Sequence, residues 1–397
     1  MKSTLPKLTC DPVRTFISSV PFFPTLVLFQ FFAFAVGAIV GSFLNVVIYR
    51  LPAGLSVNEP KRSFCPHCKT QIPWYENIPL FSWLALRAKC SRCGAPIAFR
   101  YFAVELLTAV LFWVIWNRCE SAGAFGLVLP LWAFVSLLIS ASFIDIDHFI
   151  IPDELSLGGT AAGLVFSFAI PGLMAQESHW MGVLWSAIGA GTGYLLLWGV
   201  VEAGKLAFGK KKLKFDPPAG FRWTRHGEDA ELTVGDEKTL WSEIFSREKD
   251  QLVMETEAPQ VDDQPVDWAN AKGATLRFFY DRLILPGSEK REILLDTVAT
   301  ISGKVRSIVV PREAMGFGDV KLIACIGAFL GWKAVLFTIG AASAIGAMVG
   351  VGLILVGRRD ASGRIPFGPY LALSALLWIL AGPALLAWYC GFLQPEF

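Results

Sequence analysis

The sequence predicts an all-α polytopic membrane protein of about eight transmembrane helices, with a small cytoplasmic loop domain after the first helix and a soluble, β-containing cytoplasmic insert after the fifth. Three observations carry that prediction. Of 397 residues, 54% are apolar and only 17% charged, a balance too apolar for a soluble chain of this length. The charge is segregated, because residues 205–313 hold 18 of the 35 Lys and Arg and 19 of the 33 Asp and Glu. The remainder contains apolar stretches that approach the roughly 20 residues a spanning helix needs.

The division follows in chain order. Residues 1–49 form a tail and a first helix at 25–48. The apolar run there is much longer than a signal-peptide core and has no small-residue cleavage site, so it reads as a retained helix. Residues 50–100 form a polar loop domain. Residues 101–204 hold four further helices, at 101–116, 125–144, 155–173 and 181–201. Residues 205–313 are the soluble insert. Residues 314–397 hold helices at 320–330, 334–356 and 370–389. The 320–330 piece is short, and reaches spanning length only by borrowing Gly318, Asp319, Lys321 and Trp332.

Orientation follows from the positive-inside rule. With both termini outside, the inner loops carry Arg50, Lys61, Arg62, Lys69, Arg87, Lys89, Arg92, Arg100, the insert, Arg358, Arg359 and Arg364, and the outer loops carry Arg118 and Lys333. Lys2, Lys7 and Arg14 argue the other way. Within the insert, Lys210-Lys211-Lys212-Leu213-Lys214 suits an anionic inner-leaflet surface. The acidic, proline-bearing run 255–264 reads as a flexible loop, and 275–285 with 293–310 read as strands with turn breaks at Pro286-Gly287 and Ser302-Gly303.

In the loop domain, Cys65-Pro66-His67-Cys68 and Cys90-Ser91-Arg92-Cys93 are two closely spaced pairs separated by 21 residues. Four thiolates from such pairs can converge tetrahedrally on a structural zinc ion, with no position left for a reacting water. Gly94 permits the tight turn that such a knuckle needs. An iron site of the same geometry, or disulfides, are the alternatives, and a reducing inner compartment disfavours the latter. Cys10, Cys119, Cys325 and Cys390 are scattered singly and read as small apolar residues.

Two aspartates stand where apolar segments meet polar sequence: Asp145 in Phe143-Ile144-Asp145-Ile146-Asp147-His148, and Asp319 in Gly316-Phe317-Gly318-Asp319. A carboxylate at a membrane edge is costly and marks a functional site. Two of them sharing a proton would form an aspartic proteolytic pair, one acting as base toward water and the other as acid toward the scissile carbonyl. Gly316 and Gly318 would let a substrate strand approach. The competing reading makes Asp319 a helix N-cap, and Asp147 and Asp153 are open to the same explanation, Asp153 above all. Glu105 either snorkels or pairs with a basic residue.

Several of these runs together resemble the type IV prepilin peptidases: 37–52 as first helix and exit, the double cysteine pair, Trp74-Tyr75-Glu76-Asn77-Ile78-Pro79, Arg100-Tyr101 with Glu105, the Asp145 run, Gly316-Phe317-Gly318-Asp319-Val320-Lys321-Leu322, and Ile365-Pro366-Phe367-Gly368-Pro369-Tyr370. The resemblance implies that Asp145 and Asp319 are the catalytic pair of an aspartic endopeptidase in the bacterial inner membrane, with its active site facing the cytoplasm. It would cut the basic leaders of type IV prepilins and type II secretion pseudopilins. It further implies N-methylation of the new N-terminus with S-adenosylmethionine by the region 50–100. The insert departs from the family's usual pattern. No nucleic-acid partner is expected. A membrane transporter using intramembrane carboxylates is the main rival, against which stand the edge placement of the aspartates and the lack of an inverted repeat. A zinc hydrolase is disfavoured because four cysteines leave the metal no catalytic vacancy. An intramembrane protease sharing only Gly-x-Gly-Asp is disfavoured by the first aspartate motif and the cysteine loop.

Overall fold

A computed structural model of the chain describes residues 27–393 apart from 61–62, 209, 227–228, 246–250, 263, 266–273, 285–291, 312–315 and 357–365. The N-terminal basic residues, Cys10, Lys61, Arg62, Arg358, Arg359, Arg364 and the Pro286-Gly287 turn lie outside the described residues. The chain divides into two compact units, Met1–Trp198 with Gly316–Phe397, and Gly199–Met315.

The first unit is built on helices α1 Val27–Arg50, the short α2 Phe81–Ala85, α3 Phe99–Ser121, α4 Val128–His148, α5 Asp153–Ala169, α8 Phe317–Leu355, α9 Gly368–Leu393 and α6 His179–Phe208 as far as Trp198; a one-turn helix α7, Trp241–Ile244, belongs to the insert. Many large apolar side chains point outward from the long helices, among them Phe31, Val165 and Met348, as lipid-facing positions require. Small residues let the helices approach closely. A Cβ on Gly37 would lie 2.7 Å from the Ala109 Cα, and one on Gly41 2.7 Å from the Glu105 Cα, so these two glycines set the α1–α3 contact.

Five helices are long and apolar enough to cross a membrane among the described residues: Leu28–Arg50, Phe99–Ser121, Phe125–His148, His179–Gly204 and Phe317–Leu355. The expected count of eight is therefore met only in part. Helix α5 has 17 residues, and Gly368–Gly382 of α9 is a shorter apolar run. The two expected segments 320–330 and 334–356 are continuous as α8 but are interrupted at Gly331, with φ 79° and ψ 172°, a conformation open essentially to glycine alone.

Among the described residues the insert forms a nine-stranded antiparallel sheet. In chain order the strands are β1 Lys210–His226, β2 Asp229–Val234, β3 Glu237–Leu240, β4 Leu252–Val261, β5 Gln264–Pro265, β6 Ala274–Phe278, β7 Arg282–Ile284, β8 Glu292–Leu294 and β9 Thr300–Pro311. They run β3-β2-β1-β9-β4-β6-β7-β8, with β5 paired to β4. The sheet curls so that its two flanks share one core: Trp241, just after β3, donates its indole N–H to the Tyr280 carbonyl in the β6–β7 turn at 3.0 Å and packs edge-on against Phe278.

Two sequence expectations fail here. The run 255–264, expected as a flexible loop, is largely strand β4, held between β9 and β6. Its alternate residues Leu252, Met254 and Thr256 are fully buried, while Glu255 accepts from the Ser307 hydroxyl at 2.7 Å and Glu257 pairs with Arg306. Pro259 sits at a register shift, where a missing N–H is tolerated. Ser302-Gly303, expected as a turn, pairs with Arg222 and Phe221 inside β9.

Candidate active site and cysteine cluster

The C-terminal end of α4 carries Asp145 and the first turn of α8 carries Asp319. Both are buried, at 6% and 7% exposure, and their carboxyl groups lie within electrostatic reach of each other. Asp145 Oδ2 accepts the backbone N–H of Gly368 at 2.9 Å. Gly368 opens α9, so this N–H is one of the orphan donors every helix start exposes. Asp319 occupies the third position of α8, whose N-cap is Gly316. Its Oδ1 is buried and has no hydrogen-bond partner among the described residues. The capping explanation for Asp319 thus fails, because an N-cap carboxylate would be spent on the first-turn amides.

Ile151 joins the two motifs. A Cβ on Gly318 would lie 3.1 Å from the Ile151 Cβ, and one on Gly368 would lie 2.7 Å from Asp145 Oδ2 and 3.1 Å from the Ile151 Cδ1. Glycine at 368 is required by the approach of the carboxylate.

The other acidic residues separate from this pair. Asp153 is not the cap of α5, whose N-cap is Pro152; its carboxylate pairs with Lys321 Nζ at 2.6 Å, tying the start of α5 to the start of α8. Asp147 pairs with Arg100, which also donates to the Phe143 carbonyl at 3.1 Å and lies over the Phe143 ring. Among the described residues Glu105 has no basic partner; Oε2 accepts the Leu80 N–H at 2.7 Å, holding a non-glycine residue at φ 63°. Sequence reading missed the roles of Gly368 and Ile151. The signal was the Gly368-Pro369 step, since proline in a helix's first turn marks a start whose free amide must go somewhere.

The four cysteines converge. One ligand atom from each of Cys65, Cys68, Cys90 and Cys93 lies within 4.8 Å of the others. The Cys65 and Cys93 sulfurs are 3.8 Å apart, close to the edge of about 3.8 Å that a tetrahedron with ~2.3 Å Zn–S bonds requires. Each pair sits in a knuckle closed by an isolated bridge, Phe64 with Gln71 and Lys89 with Pro96. Gly94 takes the expected positive φ of 72°, and Lys69 takes the equivalent place in the first knuckle at φ 57°. Hydrogen bonds from Thr70 hold the Cys68 thiol down to about 6, and the backbone amides of Cys93 and Arg92 lower that of Cys90. This donor set fits a structural zinc ion.

Between the knuckles and the ends of α1 and α3 lies a cavity of about 430 Å³, whose lining includes Asn45, Tyr49, Glu76, Trp83, Tyr101 and Glu105. Arg50 is buried beneath the loop after α1 and donates to the Val57 and Pro60 carbonyls, both at 3.1 Å.

Residues 35–119 match the model of the Bacterial Peptidase A24 N-terminal domain. Residues 132–214 and 284–351 match that of the Type IV leader peptidase family, leaving most of the sheet insert outside it. A prepilin leader peptidase/N-methyltransferase of Aeromonas hydrophila is 30% identical over 380 residues, covering 90% of this chain and 92% of the relative. Its namesake in Myxococcus xanthus is 48% identical over 155 residues, 39% of this chain and 45% of the relative. That of Pseudomonas aeruginosa is 28% identical over 379 residues, 90% and 91%. No solved structure matches. The chain, a multi-pass membrane protein, therefore belongs to the type IV leader peptidase family and is an enzyme of the aspartic-protease class.

Proposed function

We propose that the protein cleaves the leaders of type IV prepilins or pseudopilins at the cytoplasmic face of the bacterial inner membrane, with Asp145 and Asp319 as the catalytic pair. The observation that carries this is two buried carboxyl groups on the first turn of α8 and the last turn of α4, one held by the Gly368 N–H and the other with an oxygen unspent. In the reaction, one carboxylate takes a proton from a water as its oxygen attacks the scissile carbonyl carbon. The other, protonated, donates to the carbonyl oxygen to give a gem-diol; as the C–N bond breaks, the proton gained by the first passes to the leaving amine and a diol hydroxyl returns its proton to the second, so the pair ends as it began. Two close carboxyl groups titrate as a unit, so base and acid belong to the pair rather than to either residue. The Gly368 N–H fixes the position of the Asp145 carboxyl group, and Gly316 leaves open backbone beside Asp319 for an extended substrate.

Taking the two sides of Gly331 in α8 as separate spans, and adding α5 and α9, gives eight membrane crossings with both aspartates at the cytoplasmic end. A prepilin anchored by its own apolar helix would present its scissile bond at that depth. The two knuckles would hold zinc as a structural ion. S-adenosylmethionine supplies a methyl group for the new amine; the cavity beside the knuckles suits it, with Tyr49, Trp83 and Tyr101 to hold a flat base and Glu76 and Glu105 to hold cationic groups.

The test is mass spectrometry of a pilin co-expressed with the protein. Loss of the leader together with a 14 Da gain is expected, and an unprocessed pilin beside folded, membrane-inserted enzyme would overturn the reading.

A further inference from the structure

The turn that carries Asp145 is the last of α4, and a helix end is where backbone carbonyls run out of partners. Phe149 closes the helix in a left-handed conformation at φ 54°, its N–H donated to the Asp145 carbonyl at 3.0 Å. Catalysis asks more of this turn than folding does, because a reacting group must be held to within about 0.5 Å of its working position.

Arg100, the second residue of α3, reaches this turn from outside α4. One terminal guanidinium nitrogen donates to the Phe143 carbonyl at 3.1 Å and the other pairs with the Asp147 carboxylate. The guanidinium carbon lies 5.1 Å from the centre of the Phe143 ring. Phe143 and Asp147 are four residues apart, so they lie on one face of the helix, one turn above the other. Asp145 is two residues from each, about 200° around the axis. It therefore faces the opposite way, buried where Asp147 is exposed. The guanidinium grips the outer face of the turn while the Gly368 N–H holds Oδ2 on the inner face.

The footing of Arg100 is itself fixed on two sides. The buried Asn45 of α1 donates its side-chain amide to the Tyr101 carbonyl at 3.0 Å. Trp83 of the loop domain donates its indole N–H to the Ile97 carbonyl at 3.3 Å, and its ring packs against those of Phe99 and Phe102, with centroids 5.7 and 5.0 Å away. Arginine suits the task where lysine does not, because its planar fork engages two acceptors at a set spacing and an ammonium is a single point. Both side chains of the Arg100–Asp147 pair are 33% exposed, so the ion pair adds little to stability. What the set of contacts fixes is position.

We propose that Arg100 is a positioning residue for peptide cleavage, holding the last turn of α4 so that the Asp145 carboxyl group keeps its place beside Asp319. This rests on the reading of those two aspartates as the catalytic pair.

The experiment measures kcat and KM for a prepilin peptide with the full-length protein in detergent, alongside thermal unfolding. Arg100→Gln is expected to lower kcat by at least about tenfold with KM within about twofold. Arg100→Lys, which keeps the charge and loses the fork, is expected to fall between that variant and the parent. Arg118→Gln, at the other end of α3, is expected to keep parental kcat. The deciding readout is a double-mutant cycle with Gly368→Ala, which displaces the same carboxylate from its inner side. In that background Arg100→Gln is expected to cost less than about threefold, since groups acting through one position give non-additive losses. A residue that only stabilises the fold would cost the same factor in both backgrounds, and that result would overturn the proposal. So would folded Arg100→Gln within about threefold of parental kcat beside an inactive Asp145→Asn. If Arg100→Gln is not recovered folded, Arg100→Lys takes its place in the cycle under the same criterion. Parental turnover in Asp145→Asn would instead sink the catalytic reading on which the proposal rests.

Discussion

Replacing Gly368 with alanine moves the Asp145 carboxylate without touching its chemistry. The added Cβ would lie 2.7 Å from Oδ2, whereas ordinary contact begins at 3.4 Å, so the carboxylate must yield by about 0.7 Å. It cannot slide past Ile151, whose Cδ1 would be only 3.1 Å from the same Cβ. The backbone N–H that holds Oδ2 is retained, which separates displacement from loss of the hydrogen bond. A misplacement of about 1 Å costs on the order of a hundredfold in rate, so a loss of about 30- to 100-fold in kcat/KM is expected. The overpacking should cost about 1–3 kcal/mol of stability, too little to unfold the helical unit. The assay is cleavage of a prepilin peptide by the purified variant, read by mass spectrometry. Gly340→Ala serves as control, because a Cβ there meets nothing within 4 Å. A Gly368→Ala protein within about threefold of the parent would refute the reasoning, since a displacement of this size is expected to cost far more.

Three further outcomes follow from the same geometry. The purified protein should contain about one zinc ion per chain by elemental analysis, and Cys68→Ser/Cys93→Ser should abolish it, because two remaining thiolates cannot complete a tetrahedral structural site. A double-mutant cycle between Lys321→Met and Asp153→Asn should give a coupling of no more than about 1 kcal/mol in thermal unfolding, since Asp153 is largely exposed and such pairs are weak. The Ser307 hydroxyl, then Lys212, hold the Glu255 carboxyl below its ordinary range. A folded value below the unfolded one stabilises the insert above about pH 4.3 and is lost as pH falls through the depressed value. Glu255→Gln should therefore speed amide exchange of β4 and β9 at neutral pH, by less than about 1 kcal/mol, with the difference disappearing in acid.

Much of the helical unit was legible because spanning segments announce themselves by length and apolarity. The same signal was ambiguous at 320–330, where only the φ of Gly331 marks the interruption within α8. The two aspartates were legible as charges out of place at helix ends. Their partners were not, because the Gly368 N–H and the side chain of Ile151 come from a distant helix and a following loop. Asp153 and Glu105 show the same limit: each was recognisable as needing a partner, yet Lys321 and the Leu80 amide are tertiary choices. In the insert, β4 was hidden by its glutamates and Pro259, since charge on the solvent face of a strand looks like a loop until its buried alternates are seen. The cysteine knuckles were the opposite case, with spacing alone fixing which sulfurs would meet.

The most direct test of the account compares cleavage of a prepilin peptide by Asp145→Asn, Asp319→Asn and the double variant. Groups that act as one unit give non-additive losses. Each single change should lower kcat by at least about a thousandfold, with the double variant no worse than either. Parental turnover in either single variant, or losses that multiply in the double, would contradict a shared two-aspartate centre.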